Sequence, residues 1–213
     1  ARAEALLRAI VDRRPGFAEA HYRLGAILER AGRIDEARES FRRALDADAA
    51  PTRCSEPFRE AYRRVAARHP RCILVDGRRE VAAASPSGLL DDHVIEDAHH
   101  PNLKGCVALA AAVLRALADR RVFGPASSAI RPPRLADCIA RFGLDAQRLA
   151  EACDRTNIHY KRGAGYRYDP ALRLEKARRF AEAAERLRAG ASIYEVGLPA
   201  LDHLETSLGA SPK

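Results

Sequence analysis

Apolar positions recur with a helical period over most of the chain. Between Ala1 and Pro15, Ala3, Leu7 and Ile10 are spaced four and three residues apart, the mark of one helix face turned to a core. Ala18 to Pro51 reads as helix, turn and helix. Leu24-Gly25 and Leu28 lie in the first helix, Gly32 at the turn, and Ala37, Phe41 and Ala44 in the second. The small residues let the two helices approach closely, and Leu24, Leu28 and Phe41 fill the space between them. Residues 55–69 predict another amphipathic helix, with Phe58, Tyr62 and Val65 on one face.

The pattern changes at Cys72-Ile73-Leu74-Val75, a continuous apolar run closed by Asp76-Gly77, which predicts a buried parallel strand. A short helix over 78–84, a Ser-Pro-Ser-Gly loop and an Asp-rich lead-in follow. Asn102 is then well suited to cap a helix, because its side-chain oxygen accepts from free first-turn amides. Leu103, Val107, Ala110, Val113, Leu114 and Leu117 give that helix an apolar face. Residues 121–134 are rich in turn formers and read as a linker. Helices are expected at 135–141, 145–156 and 170–189. The last carries Leu172, Leu174, Ala177, Phe180, Ala184 and Leu187, and Gly190 closes it. Asn157–Tyr168 reads as a basic, aromatic surface loop, with an anion or nucleic-acid contact as the alternative. The last stretch, about fifteen residues, looks frayed.

Composition narrows the partners. The chain has 213 residues, 47% hydrophobic and 31% charged, which suits a globular protein with one good core or two small domains. The net charge of +8 comes from arginine dispersed along helices with acids interleaved. No basic block with interleaved aromatics stands out, which argues against a nucleic-acid partner. Five cysteines, odd in number and widely spaced without C-x-x-C, suggest neither a disulfide framework nor a zinc ribbon. Cys72 and Cys106 read as small core residues, and this usage is compatible with a cytoplasmic protein without fixing the compartment. No apolar run is long enough to span a membrane. No cofactor motif is present.

The chemistry gathers in Glu96-Asp97-Ala98-His99-His100-Pro101-Asn102-Leu103-Lys104-Gly105. Pro101 biases His100 toward an extended conformation just before a helix start. An acid near a histidine holds the imidazole in one tautomer and stabilises its protonated form, which a hydroxyl nucleophile needs of its general base. A metal site is a second reading, since His93, Asp97, His99 and His100 lie close together and suit zinc. It lacks a helix-borne pair such as H-E-x-x-H. His99 has no assigned role.

Two family resemblances follow. Residues 1–51 resemble tetratricopeptide repeats, whose period of about 34 residues places Ala3, Leu7 and Ile10 one repeat before Ala37, Phe41 and Ala44. Ala1–Pro15 is then the second helix of a preceding repeat, and the chain starts mid-repeat. His21 and Leu28 stand where the repeat usually carries aromatics. Over residues 52–120, the order of helix, apolar run ending Val-Asp, loop, Asp-x-x-His-Pro-Asn-x-x-Gly and alanine-rich helix resembles the C-terminal part of SGNH/GDSL hydrolases. That family implies esterases of three-layer, flavodoxin-like α/β architecture, in which Asp97 would orient and His100 act as base beside a serine.

The resulting expectation is a mixed, predominantly α fold. It comprises tetratricopeptide helical hairpins over 1–51, the C-terminal βα part of an α/β hydrolase over 52–120, a linker over 121–134 and a helical region over 135–213. The substrate would be an ester of a small or carbohydrate-linked acyl group, and the repeats would bind a protein or peptide. The Gly-Asp-Ser nucleophile motif and the Gly-x-Asn-(Asp/Glu) segment are absent. Ser55, Ser85 and Ser87 are poor substitutes, so the nucleophile half is expected upstream of this chain. The rival expectation is a non-catalytic interaction module in which the repeat groove holds a peptide.

Overall fold

Ala20, Leu24 and Leu28 recur at four-residue steps and are buried, so the helix that carries them presents one face inward. The computed structural model describes residues 2–51, 53–96, 100–165 and 170–201. Its helices are α1 (Arg2–Arg13), α2 (Ala18–Arg30), α3 (Ile34–Asp46), α4 (Glu56–Arg68), α5 (Gly77–Ala83), α6 (Leu103–Asp119), α7 (Leu135–Phe142), α8 (Ala146–Ala164) and α9 (Pro170–Arg188). A 3-10 turn at Gly124–Ala129 lies between α6 and α7. Two compact units result, Ala1–Asp91 with Arg115–Ser128, and Asp92–Leu114 with Ala129–Lys213.

In the first unit α1 packs on α2, and α2 on α3. Gly32 ends α2 in the left-handed conformation (φ 72°), where a side chain would be strained. The amide of Arg33 then donates to the Leu28 carbonyl at 2.9 Å and that of Gly32 to Glu29 at 2.9 Å, which satisfies carbonyls the helix leaves open. Gly25 permits the tight α2–α3 contact, since a Cβ there would stand 2.7 Å from the Phe41 ring. Leu24, Leu28, Ala37 and Leu89 form the core, with Leu7, Val11, Ile34 and Phe41 against it. His21 is also buried, its Nε2 2.9 Å from the Pro15 carbonyl.

Four expectations change. No strand is found among the described residues, and the βα portion expected at 52–120 is not seen there. Cys72 to Asp76 is irregular. A strand needs a neighbour for its backbone groups, and the run has none among the described residues. Instead the Cys72 amide turns back to the His69 carbonyl, and Asp76 caps α5 by accepting from the Arg79 amide. Cys72 and Cys106 are exposed rather than core. The α4 face of Phe58, Tyr62 and Val65 is also largely open, at 60%, 59% and 52% exposure. In α6 the buried positions are Gly105, Ala111 and Ala112, while Ala110 and Val113 are exposed, so the inward face is rotated from the expected one.

The second unit is organised by α8 and α9, which pack along each other. Ala150, Cys153, Ala183 and Ala184 keep their approach close, and Ile139, Leu187, Val196, Leu198 and Leu201 complete the core. Helix α8 continues to Ala164, eight residues beyond the expected end at 156, so most of the expected surface loop is helix. Asn157, Tyr160 and Ala164 are buried along it. Burial pushes the Cys153 thiol up to about 11, with the Asp154 carboxylate adding to the effect. Gly190, at φ 94°, closes α9 as expected. The expected frayed end lies mostly outside the described residues, but Leu201 within it is packed.

Candidate functional site

Residues 92–96 and residues 100–102 lie side by side before α6. The Glu96 amide donates to the His100 carbonyl at 2.9 Å, and the Asn102 amide to the Val94 carbonyl at 3.1 Å. Ile95 and Pro101 form an isolated antiparallel bridge between the same two stretches. Val94 is fully buried beneath it. Asn102, 7% exposed, caps α6 as its chemistry predicts: its Oδ1 accepts from the Gly105 amide at 3.1 Å. Its Nδ2 donates to the Asp92 carbonyl at 3.5 Å. Gly105 lets the helix start lie against the segment, for a Cβ there would be 2.3 Å from the Val94 carbonyl oxygen and 3.0 Å from the Pro101 Cβ.

Helices α8 and α9 pin this corner at Glu96 and Asp92. The Tyr160 hydroxyl donates to the Glu96 carbonyl at 2.6 Å, and the Thr156 hydroxyl to the Glu96 carboxylate at 3.4 Å. The Lys176 ammonium meets the Asp92 carboxylate at 2.5 Å, with Arg179 at 3.9 Å. Tyr160 is itself fixed by stacking on Phe180, with ring centroids 5.9 Å apart, and by the cations of Arg173 and Lys176 over its ring at 5.9 and 5.8 Å.

Of the expected catalytic pair, His100 is described and exposed at this corner, with its carbonyl engaged by Glu96. Asp97 lies outside the described residues, as does His99. Among the described residues no group of three metal-ligating side chains gathers. Ser85 and Ser87 both donate to the Asp91 carboxylate, at 2.7 and 2.5 Å, and close their own loop. The residues that brace the corner, Thr156, Tyr160 and Lys176, carry no local signal toward it, because their partners lie 60 to 84 positions away.

Comparison with known proteins gives one finding for the first unit. Residues 1–52 match the family model described as Tetratricopeptide repeat. No curated protein matches the chain, and no solved structure matches it.

Proposed function

We propose that this chain is a protein-interaction module whose tetratricopeptide segment holds a peptide or protein partner. The match of residues 1–52 to that repeat carries the reading, and the packing of α1 to α3 supports it. Tyr22, 43% exposed on α2 and tilted against Phe41, is an aromatic anchor of the kind that contributes much of the energy at such surfaces. Peptide selection on the immobilised chain tests this. Selected peptides should bind saturably, lose about tenfold in affinity with Tyr22→Ala, and be indifferent to His100→Ala. Failure to select any saturable binder would overturn it.

A second reading assigns the α6 corner to ester hydrolysis, with Asp97 orienting and His100 serving as base and then as acid to the leaving group. The Asn102 cap and the exposed His100 beside it favour this, and otherwise it rests on the sequence pattern. The serine would come from outside these residues. The chain alone should therefore show negligible turnover of short p-nitrophenyl esters. Turnover abolished by His100→Ala would place the serine within it.

A further inference from the structure

Charges of both signs meet at one cavity of the second unit without neutralising each other. The cavity, of about 260 Å³, is lined by Glu96, Ala152, Arg155, Thr156, His159 and Tyr160. Arg155 and His159 are one turn apart on α8 and both exposed, so they project from one helix face. Ala152, Thr156 and Tyr160, at four-residue steps, line the strip beside them. Glu96 enters from the corner segment, where the bond from Tyr160 to its backbone fixes its position.

Arginines elsewhere in this chain routinely find a carboxylate: Arg42 pairs with Glu39 and Asp46, Arg63 with Glu56 and Glu60, and Arg188 with Asp154. Arg155 shares a cavity with Glu96, yet among the described residues neither is ion-paired. The Glu96 carboxylate has one hydrogen bond there, from Thr156. Two opposite charges that line one cavity without pairing are each underused, and a ligand with matching ends satisfies both. A simple anion would be repelled by Glu96 and a simple cation by Arg155. The volume lies below the range of about 300–1,000 Å³ usual for drug-sized ligands, which limits the occupant to a small molecule.

We infer that this cavity binds a small zwitterion of the amino-acid class, its carboxylate on Arg155 and His159 and its ammonium on Glu96. The inference rests on neither functional reading above, although Glu96 belongs to the same corner as His100.

The test uses the 213-residue chain and a series of ω-amino acids: glycine, 3-aminopropanoate, 4-aminobutanoate and 6-aminohexanoate. Propanoate and propylammonium serve as single-charge controls. Calorimetry, with amide shifts of Thr156 and His159 as the site-specific readout, should show saturable binding that peaks at one charge spacing. The preferred zwitterion should bind about tenfold tighter than either control. Glu96→Gln and Arg155→Ala should each weaken it about tenfold, and Arg155→Lys should restore part of the loss. Glu96→Gln keeps the carbonyl that Tyr160 holds, and Arg155 is exposed, so an unchanged circular dichroism spectrum and midpoint should accompany both. No saturable zwitterion below ~10 mM, propanoate binding as tightly as any zwitterion, or a double variant that binds like the parent would each overturn the assignment.

Discussion

The repeat and the α6 corner differ in the reach of the side-chain contacts that hold them: the longest pairs between the repeat's helices, Arg8 with Glu36 and Arg33 with Glu4, span 28 and 29 residues, and most are far shorter. In the repeat, Arg23 pairs with Glu19, and Arg42 with Glu39 and Asp46, all three or four residues apart. Gly32 closes its helix with bonds inside the same turn. At the corner, Tyr160 reaches 64 residues to Glu96 and Lys176 reaches 84 to Asp92. Each region also has a glycine at a close approach, but Gly25 faces a side chain and Gly105 faces backbone. A region built from near neighbours can yield locally, whereas a corner fixed by distant partners has little freedom.

The sharpest break of this comparison is the same substitution at both glycines. Gly105→Ala drives a methyl against a carbonyl that cannot rotate away, and should destabilise the second unit by about 3 kcal/mol. In Gly25→Ala the Phe41 ring can tilt, and alanine gains about 1 kcal/mol over glycine in a helix interior, so the net change should be small. Chemical denaturation, with hydrogen exchange at Cys106 and Leu28 reporting the two regions, decides it. Equal costs would remove the distinction.

Tyr160→Phe should come next, at about 1 kcal/mol, by leaving the Glu96 carbonyl without its donor. Exchange should quicken at the Glu96 and Asn102 amides and stay unchanged in α2. Uniform change across both units would mean that the hydroxyl does not act at the corner.

Acid should separate the regions by the least. In the repeat, hydrogen bonds from Arg42 hold the Glu39 carboxyl down to about 2, and those from Arg8 and Arg33 lower Glu4 and Glu36. These groups bind protons less readily folded than unfolded. Their contribution is thus complete above the unfolded value of about 4.3 and is lost as pH falls toward 2. The pairs are exposed, so the effect is modest. Over that window the α2 and α3 amides should lose protection before those of α8. The reverse order would show that these pairs do not support the repeat.

What could be read in the sequence follows the same division. The α2–α3 pair, the Gly32 and Gly190 closures and the Asn102 cap were legible because each is decided within a turn or two. The strand expected at Cys72–Val75 was not, because four apolar residues fit several structures and Asp76 serves as a helix cap instead. Helix α8 was read as ending early: Asn157, Tyr160 and Ala164 keep helical spacing, but Gly163 and the polar neighbours conceal it. At the candidate site, His100 and Asn102 could be singled out from their own segment. Thr156, Tyr160 and Lys176 could not, since nothing near them names their partners.

The tie between Tyr160 and Glu96 also has a kinetic meaning. Closing a loop costs entropy that grows with the logarithm of its length, so joining residues 64 apart is about 2.4 kcal/mol harder than joining residues four apart. The repeat helices can form before that closure, and the corner must wait for it. The surroundings of His100 are then assembled late in folding, after the helices of the repeat already exist.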